Sequence, residues 1–86
     1  MLQDRVTLVT AAGSGIGRAG AVAMAREGAF VVVSDLQQDL ADETLGMIHA
    51  AGGQGAARAL DMRDDAAVEA EIARVVRDHG RIDVLH

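Results

Sequence analysis

The chain has 86 residues, 8 basic against 13 acidic side chains, no Cys, Pro, Trp or Tyr, and one Phe. That length lies below the roughly 100–150 residues usual for a domain, so two domains are excluded and residues 1–86 read as one small domain or a piece of one. A net charge of −5 with singly scattered arginines gives no footprint for a phosphate backbone, and zero cysteine removes disulfides, zinc–thiolate sites and cysteine nucleophiles together.

Half of the residues are hydrophobic and 24% are charged, which is enough apolar material for a core. No uninterrupted apolar run is longer than Ala29 to Val33, which is far too short to span a bilayer. The N-terminus also lacks the charged-then-apolar order of a signal peptide. The expectation is a cytoplasmic protein with neither nucleic acid nor membrane as a partner.

Short β-branched runs alternate with longer stretches at helical spacing, the pattern of a βαβα chain. The first run, Val6 to Thr10, is apolar on both faces apart from Thr7, as a parallel strand covered on both sides should be. Gly13, Gly15 and Gly17 follow and lead into a helix on which Ile16, Ala19, Ala23 and Met24 share a face, with Gly28 placed for a left-handed C-cap. Phe30 to Asp35 is the clearest strand. A second helix is predicted from Gln38 to His49 with Leu40, Thr44, Met47 and Ile48 inward, stopped by Gly52-Gly53. A weaker strand is placed at Ala57 to Leu60 by position, because Ala is a poor strand former. Asp64 then serves as N-cap for a third helix whose stripe Val68, Ile72, Val75, Val76 and His79 faces the core, and Gly80 ends it. Ile82 to His86 begins a fourth strand.

Strand, glycine turn, helix and a second strand closed by Asp35 form the first crossover of a doubly wound nucleotide-binding sheet. Glycines let the backbone approach a pyrophosphate, and the helix N-terminus, here Gly15, Ile16 and Gly17, offers unpaired N–H groups and partial positive charge. The bland alternative is a tight turn that binds nothing. Asp39, Asp42 and Glu43 read as a solvated helix face near a positive dipole end, not as a metal site. His49 and His79 are placed to meet the last carbonyls of their helices, and Met24, Met47 and Met62 to fill gaps in packing.

The spacing is not G-x-G-x-x-G, since Arg18 stands where a third glycine would be. The run Thr10-Ala11-Ala12-Gly13-Ser14-Gly15-Ile16-Gly17 resembles the T-G-x-x-x-G-x-G signature of the short-chain dehydrogenase/reductase family. Asp35-Leu36 is similar to that family's acidic end of the second strand, Asp61-Met62 to its aspartate after the third, and Gly80 to Leu85 to its approach to the fourth. The resemblance covers the whole chain and implies a Rossmann-like α/β fold, a truncated doubly wound parallel sheet of about four strands and three helices. One residue departs: Ala11 stands where the family has its first glycine. If that position needs positive φ, or no Cβ near the phosphates, alanine is strained there and the cofactor binds weakly.

The resemblance further implies a nicotinamide dinucleotide. Asp35 is placed to accept hydrogen bonds from the adenosine ribose and to repel a 2′-phosphate, so NAD is expected over NADP. No basic residue lies among Leu36, Gln37 and Gln38 or within the glycine turn to reverse that choice. By resemblance Asp61 bonds the adenine amino group with the Met62 backbone beside it; Asp61 is equally a turn former or an auxiliary cap. The candidate cofactor-binding set is Gly13, Ser14, Gly15, Ile16, Gly17, Asp35, Leu36, Asp61 and Met62, with no catalytic and no metal-binding residue.

In the family resembled, hydride transfer uses a Tyr-x-x-x-Lys pair, a Ser and an Asn, and this chain has no Tyr, Lys or Asn. The expectation is therefore the cofactor-binding portion of an NAD-dependent short-chain oxidoreductase, with a small-molecule alcohol or carbonyl substrate met by the complete enzyme. Two alternatives stand: a non-catalytic nucleotide-binding module, and an interaction fragment that pairs with a full-length relative. A strand order 3-2-1-4 puts two helices on one face and one on the other and leaves the fourth strand an open edge, which predicts self-association or instability.

Overall fold

A computed structural model describes residues 4–85, the side chains of Val84 and Leu85 excepted. Seven elements follow in order: β1 (Val6–Val9), α1 (Gly15–Arg26), β2 (Phe30–Asp35), α2 (Gln38–Ala50), β3 (Gln54–Ala59), α3 (Asp65–His79) and β4 (Asp83–Leu85). All strand pairings are parallel, in the order β3-β2-β1-β4. This is the expected α/β Rossmann-like sheet. The expected reach of the last strand to His86 lies outside the described residues.

Alternation along the strands divides the core into two layers. Val9, Val31 and Val33 pack with Ala21 and Ala25 of α1 and with Ala41 and Ile48 of α2. On the opposite face Val6, Leu8 and Val32 pack with Val75 of α3, backed by Phe30, Ile72 and Ile82. The first face thus carries two helices and the second carries one. Because the strands are buried on both sides, β1 and β2 read as nearly unbroken apolar runs.

Helix ends fall where the sequence marks them. Gly28 and Gly52 take positive φ after α1 and α2. The Gly53 N–H reaches back to the Ile48 carbonyl at 2.9 Å, which satisfies a carbonyl the helix end would otherwise leave open. The Asp64 side chain accepts the Ala67 N–H at 3.1 Å, and Gly80 closes α3 in the left-handed conformation.

The helix faces need correction. On α1 the buried residues are Ala21 and Ala25, whereas Ile16 is 93% exposed and Ala19 and Ala23 also face out. The inward alanines pack in one layer with Val9, Val31 and Val33 of the sheet and with Ala41 and Ile48 of α2, and at the start of the helix the turn comes close enough that Gly17 has no room for a Cβ. On α2, Thr44 and Ile48 are inward as expected, Ala41 joins them, Leu40 is half-buried and Met47 is 44% exposed. On α3, Val75 is buried, Val68 and Ile72 are partly so, and Val76 lies outside at 41%. His79 is exposed and meets the Phe30 ring, 4.5 Å between centroids, at the margin of the second layer.

β3 begins earlier than its composition suggests, at Gln54, because its pairing with β2 runs the full length of that strand, from Phe30 opposite Gln54 to Asp35 opposite Ala59. Gly55 permits this approach, since a Cβ there would collide with the Val31 carbonyl. The strand ends at Ala59, one residue before the expected Leu60, whose N–H still meets the Asp35 carbonyl at 2.8 Å.

Gly46 sits inside α2 with open space where a Cβ would go. Gly46→Ala is expected to stabilise the fold by about 0.5–1 kcal/mol, since the unfolded chain loses freedom and nothing is displaced. A thermal melt with a raised midpoint checks this; a lowered one contradicts it. Among the described residues no helix is long and apolar enough to cross a membrane.

Candidate functional site

Parallel doubly wound sheets bind ligands beyond the carboxyl ends of their strands, at the point where strand order reverses. Here that point lies between β1 and its neighbours, where the chain leaves Val9 and turns through Thr10–Ser14 into α1. Ala11, in this turn, has φ of 51°. Positive φ for a residue with a Cβ raises the energy by about 1–2 kcal/mol, so the expected strain at this position is present.

The turn is held from the sheet by polar contacts. The Ala12 N–H donates to the Ser34 carbonyl at 2.8 Å, while the Ser34 hydroxyl donates to the Val9 carbonyl at 2.9 Å. The Gly13 N–H donates to Asp35 Oδ2 at 3.0 Å, and the Gln37 N–H to Asp35 Oδ1 at 3.0 Å. The Asp35 carboxylate therefore points into the crevice and is clasped by backbone amides on both oxygens. A Cβ on Gly13 would lie 2.5 Å from Asp35 Oδ2 and 2.6 Å from Leu40 Cβ. Glycine is required there so that the carboxylate can reach the turn.

Beyond the turn, α1 opens without a side-chain cap. Ser14 occupies the N-cap without a side-chain capping hydrogen bond, and the first turn contains no acidic residue. The amides of Gly15, Ile16 and Gly17 stand at this end, and a Cβ on Gly15 would meet open space. An uncapped helix start with amides facing an empty approach suits an anion such as a diphosphate.

A groove of about 230 Å³ beside the turn is lined by Ala11, Asp35, Leu36, Leu60, Asp61, Met62 and Arg63. It joins four of the expected residues, Asp35, Leu36, Asp61 and Met62, from two successive strand ends. Leu36 is 62% exposed, an apolar surface beside a polar crevice. A larger hollow of about 400 Å³ opens near Gly28, Phe30 and Gly53. It sits at the amino ends of β2 and β3, away from the open amides, and plays no part in this site.

Asp61 is not a free carboxylate. Its Oδ1 accepts the Arg63 N–H at 2.9 Å and Arg63 Nε at 3.0 Å, and its Oδ2 accepts Arg63 Nη2 at 3.2 Å. The Arg63 guanidinium, and after it the Arg63 N–H, hold the Asp61 carboxyl below the ordinary carboxylate range. The Asp61 carbonyl also accepts the Asp64 N–H at 3.0 Å. The turn-forming reading of Asp61 is thus realised, and Oδ2 keeps room for a second donor.

Three contributors escaped the sequence reading. Arg63 enters the groove although no basic residue lies in the segment after Asp35. Thr44, read as an inward packing residue, donates its hydroxyl to the Ala12 carbonyl at 2.8 Å. Arg18 donates from Nε to Thr44 Oγ1 at 2.8 Å and pairs through Nη1 with Glu43 at 2.8 Å. The available signal was a hydroxyl on an inward helix face, which must find a partner when buried.

A family model described as short chain dehydrogenase matches residues 5–86. Among curated relatives, the probable oxidoreductase EphD of Mycobacterium tuberculosis is 45% identical over 82 residues, which cover 95% of this chain and 14% of the relative. The short-chain dehydrogenase/reductase homolog YusS of Bacillus subtilis is 39% identical over 83 residues, covering 95% of this chain and 76% of the relative. A metagenomic short-chain oxidoreductase in complex with NADP superposes with a TM-score of 0.92 at 36% identity, over 98% of this chain and 38% of that one. NAD+-bound xylitol dehydrogenase superposes with a TM-score of 0.89 at 31% identity, over 98% of this chain and 32% of that one. The chain spans about a seventh of the length of EphD and about a third of these two solved structures.

Proposed function

The chain belongs to the short-chain dehydrogenase/reductase family and forms its nicotinamide-dinucleotide-binding part, and from that premise we propose that it selects NAD over NADP. The observation that carries the choice is Asp35. Its carboxylate is fixed at the end of β2 by the Gly13 and Gln37 amides, in the groove where an adenosine ribose would lie. A negative charge held there accepts the ribose hydroxyls and repels a 2′-phosphate. Arg63 is the cation nearest in the groove, and its side chain is committed to Asp61.

In this reading the α1 amides of Gly15, Ile16 and Gly17 hold the diphosphate, while Ser14 and Gly13, whose N–H is taken by Asp35, border it. Leu36 and the Met62 backbone border the adenine, and the second acceptor site of Asp61 Oδ2 takes its amino group. When bound, the dinucleotide supplies a hydride donor or acceptor; the residues of this chain bind and orient it. In the complete enzyme the reaction is hydride exchange with an alcohol or carbonyl compound, carried out in the cytoplasm.

Calorimetric titration of the 86-residue chain with NAD and with NADP tests the choice. NAD is expected to bind at least about tenfold more tightly, equivalent to roughly 1.4 kcal/mol. Equal affinities, or a preference for NADP, overturn the NAD reading.

Self-association belongs to the same reading. β4 is an outer strand of the sheet, and α3 alone covers the second face. An exposed strand edge offers N–H and C=O groups to another chain. Light scattering is expected to give a mass above that of one chain; a monodisperse monomer with a cooperative melt contradicts this.

A further inference from the structure

Thr44 is fully buried in the middle of α2. A threonine in a helix commonly turns its hydroxyl back to its own helix carbonyls. Thr44 instead reaches out of α2, donating to the Ala12 carbonyl at 2.8 Å and accepting from Arg18 Nε at 2.8 Å. Three segments meet at this one oxygen: the glycine turn, α2 and the first turns of α1.

We infer that Thr44, oriented by Arg18, is a positioning residue for dinucleotide binding, acting by tethering the Ala12 carbonyl so that the strained turn holds the start of α1 with its amides toward the diphosphate. The inference rests on the NAD reading above. Ala11 is held at φ of 51°, and a strained residue keeps its conformation only where its surroundings over-determine it. Ser34 and Asp35 anchor the turn through the Ala12 and Gly13 N–H groups, both from β2. These fix it to the sheet and leave the Ala12 carbonyl, next to the strained residue, unrestrained. Thr44 supplies that missing anchor from the helix side.

Arg18 makes the tether directional. It lies at the start of α1, and its Nε occupies one acceptor direction of the Thr44 oxygen, so the hydroxyl hydrogen is left to point at Ala12. The turn is thereby linked through α2 to the same helix end whose amides face the crevice. Among the described residues Arg18 Nη2 has no hydrogen-bond partner, while Nη1 pairs with Glu43 and Nε with Thr44.

The test is affinity of the intact 86-residue chain for NAD and for adenosine, which lacks the diphosphate. Thr44→Val keeps the shape and removes the hydroxyl; it is expected to weaken NAD binding roughly tenfold and to leave adenosine binding unchanged. Thr44→Ser restores the hydroxyl and is expected to recover NAD affinity to within about twofold of wild type. Should Thr44→Val fail to fold, Arg18→Met, which leaves the Thr44 hydroxyl in place but unoriented, is expected to weaken NAD by about threefold with adenosine unaffected. Unchanged NAD affinity in both Thr44→Val and Arg18→Met overturns the inference. So does a parallel loss of adenosine binding, or a serine variant as weak as valine. Absence of NAD binding by the wild-type chain is a different result, because it removes the cofactor reading before any variant is compared.

Discussion

Asp35→Asn is expected to weaken NAD binding by roughly ten- to hundredfold, the range for losing hydrogen bonds to a charged group. The carboxylate faces two backbone donors, Gly13 N–H on Oδ2 and Gln37 N–H on Oδ1. An amide side chain has one oxygen and one NH2, so whichever way it turns, a donor is set against a donor. The substitution is nearly isosteric, which separates this polar conflict from a packing defect. Removing negative charge would ordinarily favour NADP. Here the same change breaks one of the two amide contacts, to Gly13 or to Gln37, and the crevice that must receive the dinucleotide loosens with it. The expected outcome is a loss for NAD without a matching gain for NADP, together with a fall in folding stability of about 1–3 kcal/mol. Titration with both dinucleotides and a denaturant melt check the two parts. A variant that melts like wild type and simply exchanges one preference for the other would show that Asp35 does not anchor the turn.

Gly17→Ala carries the second large effect. A Cβ at Gly17 would run into the Ala11 carbonyl oxygen, with Ala11 C at 3.1 Å and Ala12 Cα at 3.2 Å. Every one of these atoms is backbone, so no side chain can rotate out of the way. The helix would have to move off the turn, which carries the α1 amides away from the crevice beside Asp35. Overpacking of this kind destabilises by about 1–3 kcal/mol, and NAD binding is expected to vanish. Gly20→Ala is the control one turn along the same helix, where an added Cβ meets nothing. It is expected to retain NAD binding and to gain slightly in stability. Equal melting midpoints for Gly17→Ala and Gly20→Ala would refute the clash.

Much of the architecture was legible because the responsible forces are local. The valines from Val31 to Val33 announce a strand covered on both faces. Asp64 and Gly80 mark the ends of α3 because cap geometry involves residues a few positions apart. The place of Ala11 in a glycine pattern points to strain, and its backbone adopts the positive φ that glycine would tolerate. The inward faces of the helices were harder to read. Apolar Ile16 is outside and small Ala21 inside, because the closeness of the turn and sheet, and not hydrophobicity, decides which side chains fit.

Chain order alone therefore determined the alternation of strands and helices, their parallel arrangement, and the glycines and Asp35 gathered near the carboxyl ends of β1 and β2. Tertiary structure decided how those residues are used. Asp35 meets Gly13 across 22 positions and Thr44 meets Ala12 across 32, while Asp61 is taken up by Arg63. The physical reason is range. Propensity, capping and periodicity act within a turn or two of backbone, whereas the partner of a buried polar atom is whichever donor or acceptor the packed elements bring within about 3 Å.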